Sequence, residues 1–438
     1  MVSSQCHGDQ QSYLLELKNN LKFNNTLSTK LVHWNESTDC CSWKGVTCNR
    51  GLVVGLNLDS ESIYGGLDNS SSLFSLQYIQ NLNLAYNSFN YSRIPPDFGN
   101  LTNLRYLNLS VADFGGQIPI EITRLTRLVS LDLSNYKLKL ENPDLATLVH
   151  NLTWLTELYL DSVNISLQGN EWCHALTSSL PNLIVLSMSS CKLQGPLDSS
   201  LLKLQSLTII HLESNNFSTP VPEFFSYFRN LTSLHLSSCG LNGQFPKKIF
   251  QVPTLQTIDL SFNELLEGSL PEFHPTGSLQ SLLLTGTKFS GTVPDSIGNL
   301  KRLSKIDLSS CNFTGSIPNS MANLTQLTYL GISSNNFTGS MPDSMANLTQ
   351  LNMLDVSSNS FTGPISNFVA KLTQLVHLDL ASNSFTGSIQ NSITNLIQLV
   401  HLDLSSNSFT GSMPNSMTNL TRLSVLSEIG RASCRERV

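Results

Sequence analysis

The sequence predicts a solenoid of α/β coils, each laying one short strand beside the last in a parallel sheet. The first reason is repetition. Ile306-Asp-Leu308-Ser-Ser-Cys311-Asn-Phe313-Thr-Gly315-Ser-Ile317-Pro318 returns as Leu330-Gly-Ile332-Ser-Ser-Asn335-Asn-Phe337-Thr-Gly339-Ser-Met341-Pro342, and again from Leu354, Leu378 and Leu402. The second reason is length. A chain of 438 residues, 40% hydrophobic and 13% charged, has apolar material for a large core. It is long for one compact domain, but a solenoid has no such limit because each coil packs only on its neighbours.

The step of about 24 residues, with Leu-x-Leu followed by Asn or Cys, is that of a leucine-rich repeat. The full expectation is an α/β solenoid: a right-handed leucine-rich-repeat superhelix with a parallel concave β-sheet and a disulfide-clipped helical N-cap. Residues 1–52 form the cap, 53–426 the repeats, and 427–438 a tail of new composition, read as non-native sequence together with Cys434.

In the cap, Asp9 to Phe23 reads as a helix, with Leu14, Leu17 and Leu21 on one face. A solenoid end exposes an apolar coil and needs such a lid. Cys6, Cys40, Cys41 and Cys48 allow three pairings. Adjacent Cys40 and Cys41 are poor partners, and Cys6–Cys40 with Cys41–Cys48 is favoured. The CxxC spacing of zinc sites is missing. Disulfides require an oxidising compartment.

Repeat cores start at Leu56 and continue at Leu82, Leu107, Leu131, Leu158, Leu186, Ile210, Leu234, Ile258 and Leu282 before the regular block. Two steps are longer, which places extra residues in loops near Lys137–Asp144 and Gln168–Ser178. Asn87, Asn215, Asn263, Asn335, Asn359, Asn383 and Asn407 form a buried column that satisfies backbone groups of adjacent turns. Cys191, Cys239 and Cys311 share that column and read as reduced, buried residues. Cys173 lies in the longer loop, either free or paired within it.

The recognition surface is expected on the outward strand positions. The candidates are Tyr106, Glu157, Lys305, Tyr329, Met353, His377 and His401 before the core leucines, and Tyr159, His211, His235, Asp379 and Asp403 between them. Aromatic residues are the expected anchors. His377 and Asp379 recur one coil later as His401 and Asp403. Three readings stand for this cluster: surface residues copied by duplication, a pH-responsive contact, or a metal site. No metal or cofactor is assigned.

No GxSxG, HExxH, P-loop or dinucleotide fingerprint occurs, so no enzyme is expected. A net charge of −6 argues against nucleic acid or a membrane surface as partner. No apolar run of about 18 residues is present. About fifteen N-x-S/T sequons occur. Asn100, Asn151, Asn230, Asn323 and Asn347, on the loop side, are the expected glycan sites.

Leu14-Leu-Glu-Leu-Lys18, Trp34, Cys40-Cys-Ser-Trp-Lys-Gly-Val-Thr-Cys48, Glu171-Trp-Cys-His174 and the Phe-x-Gly-x-Ile-Pro repeats carry a resemblance. Over about residues 5–426 the chain resembles the ectodomain of plant leucine-rich-repeat receptor-like proteins of the pathogen-perceiving class. The resemblance implies a protein on the extracellular side of the plasma membrane, with an immune role. It implies an extracellular peptide, protein or glycan ligand, and co-receptor or adaptor kinases of leucine-rich-repeat type as partners. It further implies a signal peptide, more repeats, a C-terminal cap, one membrane span and a short tail outside this chain, so an ectodomain fragment is expected. Met1–Gln5 fits the end of the signal peptide. The rivals are a secreted inhibitor of a microbial cell-wall hydrolase, resembling plant polygalacturonase-inhibiting proteins, a receptor-kinase ectodomain, and a truncated product with no binding role.

Overall fold

The structure is a computed structural model describing residues 5–365, 368–389, 391–410 and 415–427. Met1–Ser4 and the tail from Glu428, with Cys434, lie outside the described residues. The chain divides into two compact units, Met1–Phe217 and Ser218–Val438.

The first unit opens with helix α1, Gly8–Asn20, which buries Leu14 and Leu17. It ends three residues short of the expected Phe23, because Leu21 already has extended backbone and Lys22–Phe23 pairs with Ile63–Gly65. Cys6 is bonded to Cys40 and Cys41 to Cys48. Trp34 stacks on Trp43 at 5.1 Å. Beyond a helical lid, the cap contributes a strand. Val46–Asn49 runs antiparallel to Leu52–Asn57, the first repeat strand, and covers the sheet edge that would otherwise stay open.

From there the strands are parallel and in register. Leu56 pairs with Leu82, Leu82 with Leu107, Leu107 with Leu131, and Leu131 with Leu158. Both leucines of each core, such as Leu158 and Leu160, are fully buried, while the residues flanking the first face out. The two long coils place their extra residues differently: residues 140–144 of the first are irregular, as the spacing suggested, whereas those of the second form a helix. Lys137–Lys139 is a strand followed by α2, Leu145–Val149, whose first turn is capped by Asp144 accepting from the Thr147 N–H at 2.8 Å. Gly169–Ser179 is helix α3, closed by a capping box between Gln168 and Glu171. Gly169 opens it because a Cβ there would fall 1.6 Å from the Pro196 carbonyl oxygen. Cys173 therefore sits on a helix, not in a loop. It is buried and reduced, and burial pushes its thiol up to about 12.

In the second unit the same sheet pattern recurs: Ile306 pairs with Leu330, Leu330 with Leu354, Leu354 with Leu378, and Leu378 with Leu402. Behind it lies a second parallel sheet of eight short strands, from Asn242–Gln244 to Ser408–Thr410. The Phe-Thr of the five regular coils builds its last five strands. Phe313, Phe337, Phe361, Phe385 and Phe409 form a stack of parallel rings with centroids 6.0 to 6.2 Å apart. Short 3-10 helices such as Asn319–Asn323 and Asp343–Asn347 return the chain to the first sheet.

The Asn column ties coil to coil. Asn263 donates to the carbonyls of Leu236 and Leu260 at 2.9 and 2.8 Å, and accepts from the N–H groups of Cys239 and Leu241 at 3.0 and 2.9 Å. Asn87, Asn215, Asn263 and Asn335 are buried, while Asn359, Asn383 and Asn407 make the same bonds half-buried. Cys191, Cys239 and Cys311 are buried and reduced. The Cys191 and Cys311 thiols donate to the Leu160 and Leu284 carbonyls at 3.0 and 3.1 Å. Two members escaped the sequence pattern. Asn135 stands one residue early yet bonds Ala112 N–H and Leu109 carbonyl, and Thr287 donates to the Leu284 carbonyl at 2.7 Å.

In the first coil the same column holds Glu61, wholly buried. Before it stands the cap loop, which turns donors toward it. Glu61 accepts from the Ser28 and Thr29 hydroxyls and from the N–H groups of Thr29, Lys30 and Leu31. Burial works to raise its carboxyl, but the bonds from Ser28, Lys30, Leu31 and Thr29 outweigh it and hold the group below its ordinary value. A depressed carboxylate stabilises the fold above its unfolded value and loses that contribution as pH falls through the folded one. Glu61→Gln should therefore destabilise the cap at pH 7 by about 1.5–3 kcal/mol. The gap between thermal melts of the two proteins should begin to close as the pH falls past the ordinary Glu value of about 4.3 and vanish once it has passed the lower folded value, and a gap that does not narrow on acidification would refute the charge-assisted role.

Asn263→Ala should cost about 2–4 kcal/mol, since it strands buried donors and acceptors of two coils. Asn263→Cys should cost less, because three coils already use Cys in this column. Urea titration of the three proteins tests the order, and equal losses for Ala and Cys would contradict it.

Candidate functional site

The first sheet of each unit presents the outward positions as columns spaced by the strand separation of about 4.8 Å. A column of this kind fixes side chains better than a loop does, so contacts at several coils can add. Tyr106, Glu157 and Tyr159 come together in the first unit. They line one hollow of about 610 Å³ with Asn57, Asn83, Asn108 and Asp132. Tyr106 is the exposed member, and Glu157 and Tyr159 are half-buried. Burial raises the Tyr159 phenol, and the nearby Glu157, Asp132 and Asp161 carboxylates add to it, so the ring stays neutral and able to donate. His211 lies further along, at the end of strand Ile209–His211.

In the second unit His235 ends strand Ser233–His235. Lys305, Tyr329 and Asp307 form a compact group. The Lys305 Nζ lies 4.8 Å from the Tyr329 ring centroid, and the Tyr329 hydroxyl donates to Asp307 at 3.0 Å. Gly331 makes this possible, because a Cβ there would meet the Asp307 carboxylate at 2.9 Å and the Tyr329 ring at 3.2 Å. Burial first, then Asp307, pushes the Tyr329 phenol up to about 12. Met353 stands next in the column, paired in register with Tyr329 on one side and His377 on the other.

His377 and His401 stack at 4.1 Å with nearly parallel rings, beside Asp379. Burial lowers the His377 imidazole, and His401 lowers it further. Asp379 and Asp403 are only partly available as recognition groups. Each already accepts the N–H two residues on, from Ala381 and Ser405, at 2.9 Å. The same bond recurs at Asp132, Asp259, Asp307 and Asp355, so the intervening Asp closes the turn after the strand.

Asn100, Asn151, Asn230, Asn323 and Asn347 are all exposed. Asn100, Asn323 and Asn347 each end a 3-10 helix, away from the outward face of the strands.

Two features of the first unit were not singled out from the sequence. Gln80, Asn103, Arg105, Arg127, Val129 and Trp154 line a hollow of about 370 Å³ along the sheet margin. Arg127 donates to Asn103 at 2.7 Å, and Trp154 is 68% exposed. Arg127 and Trp154, each standing four residues before the first core leucine of its coil, were the available signal. The second is an exposed group of Tyr86, Val111 and Tyr136. Tyr86 and Val111 adopt φ of 55° and 49° at a coil position that elsewhere holds Ser, as in Ser310, Ser334 and Ser358. A β-branched residue is costly in that conformation.

Comparisons with known proteins agree with this architecture. The family described as "Leucine rich repeat N-terminal domain" matches residues 7–49, "Leucine-rich repeat region" matches 276–390, and "Leucine Rich Repeat" matches 206–228, 230–251 and 398–420. Receptor-like protein 6 of Arabidopsis thaliana is 37% identical over 51% of this chain and 24% of its own length. Receptor-like protein Cf-9 of Solanum pimpinellifolium is 32% identical over 48% of this chain and 26% of its own. The chain thus spans about a quarter of the curated relatives it matches. Among solved structures, the plant peptide hormone receptor RGFR1 in complex with RGF2 superposes with a TM-score of 0.70 at 27% identity, covering 89% of this chain and 68% of that one. No helix among the described residues is long and apolar enough to cross a membrane. With its cap and its repeats, the chain is a leucine-rich-repeat protein, similar in sequence to plant receptor-like proteins.

Proposed function

We propose that this chain is the ligand-reading part of a plant cell-surface immune receptor. Its sheet face takes an extracellular peptide, protein or glycan ligand, and the signal passes to partner kinases of leucine-rich-repeat type. The observation that supports this most is the row of partly or fully exposed side chains held in register on the sheet: Lys305, Tyr329, Met353, His377 and His401 in one unit, and Tyr106, Glu157 and Tyr159 in the other. A peptide is the first class to test, because RGFR1 was solved with the peptide hormone RGF2. A defence role fits the relative Cf-9. Residues 1–52 act as the lid and 53–426 as the reading surface, with glycans at the five exposed sequons keeping the opposite side in solvent.

The experiment is a binding screen of the secreted, glycosylated chain against fractionated fungal culture filtrate and a synthetic peptide library. Buried aromatic anchors lost to alanine commonly cost 2 kcal/mol or more. Tyr106→Ala, Tyr159→Ala or Tyr329→Ala should therefore weaken the captured ligand by roughly thirtyfold for the ring that contacts it. Asn323→Gln, on the far side, should leave affinity unchanged. If all three tyrosine variants bind as the parent does while changes on the far side weaken capture, the sheet face is not the reading surface.

A further inference from the structure

We infer that His377, His401 and Asp379 form a binding site for a divalent transition ion of the zinc type. One ligand atom from each lies within 4.8 Å of the others. The site is built by the repeat itself. His377 and His401 are register partners on adjacent parallel strands, so the sheet brings their imidazoles together without any loop to order. Asp379 lies two residues beyond His377 on the same outward face, and one of its oxygens is held by the Ala381 N–H, which fixes the carboxyl and leaves the second oxygen to coordinate. Two imidazole nitrogens and one carboxylate oxygen make a zinc-type set with a fourth position open. That position opens on the sheet face, since all three residues are only half-buried.

The electrostatic setting favours a cation. Asp355, Asp379 and Asp403 stand in one column on consecutive strands. No Lys or Arg among the described residues forms an ion pair with them. Coordination requires each ring to turn about its Cβ–Cγ bond, because a nitrogen lone pair lies in the ring plane and the rings now stack at 4.1 Å. Side chains at this exposure have that freedom. The inference stands whether or not this face also takes a peptide.

The test uses the full chain, free of any histidine tag and washed with EDTA. Zinc chloride is titrated in by calorimetry at pH 7.5, with a chelating dye as competitor. His377→Gln, His401→Gln and Asp379→Asn should each weaken one ion's binding by about tenfold or more. His377→Gln with His401→Gln should lower the stoichiometry by one ion per chain. These positions tolerate substitution, since Lys305, Tyr329 and Met353 occupy them in earlier coils, and a thermal melt checks this. Cobalt(II) gives a reading on the unaltered protein: visible bands of a tetrahedral nitrogen and oxygen set support the site, whereas a thiolate charge-transfer band as the only signal would place the ion on cysteine. A double-variant isotherm that overlays the parent would overturn the proposal.

Discussion

Everything in this molecule depends on the hydrogen-bonding debt of a coil. A coil of about 24 residues turns too sharply for regular helix or sheet to use all its backbone groups. The carboxamide of the column Asn settles this for two coils at once. Asn335 donates to Leu308 in the coil before and to Ile332 in its own, and accepts from Phe313. Because the partners are backbone atoms, the bond is indifferent to what the outward positions carry. The recognition residues can therefore vary freely while the frame stays fixed. At the N-terminal end the coil before is replaced by the cap loop, which presents donors to this position, and the column changes to a carboxylate. Glu61 is the same structural idea with its chemistry adapted to a different neighbour.

The fold was legible in the sequence because a repeated pattern averages out local ambiguity. Leu, Asn, Phe and Gly at fixed offsets fix inside, ladder, back sheet and turn in one reading. What escaped was whatever breaks the offset or answers to a neighbour. Asn135 stands one residue early, so the pattern passed over it. Glu61 stands at the right offset but is the wrong residue type for a buried ladder. From the sequence α3 reads as a loop because Gln168–Ser178 has no repeat counterpart, although Trp172, Cys173 and Leu176 lie on one buried helical face. The strand Val46–Asn49 pairs across only two residues, a hairpin that the cysteine pattern overshadowed.

The candidate site was legible in a narrower sense. Alternation along the strand indicates which side chains face out, and the register indicates which stand side by side. It does not say which rings touch. The Lys305–Tyr329–Asp307 group depends on the missing side chain of Gly331, and the His377–His401 stack on two rings choosing the same rotamer. The Asp residues show the converse. They face outward as the pattern requires, yet one carboxylate oxygen is already committed to a turn, which makes them frame as well as surface.

The stack of Phe rings has a bearing on how the second unit finds its native pairing. Coils that are nearly identical present nearly identical docking faces. A strand displaced by one whole coil would meet the same leucine pair, the same ring and the same ladder acceptor. Little in the core distinguishes the correct neighbour from the next one along. Discrimination falls to the few idiosyncratic places: Thr287 beside Cys311, Gly331 beneath Tyr329, and the paired imidazoles. The uniformity that makes the frame robust leaves its assembly degenerate. It also allows whole coils to be gained or lost with the frame intact, so the length of the reading face can change in steps of one strand.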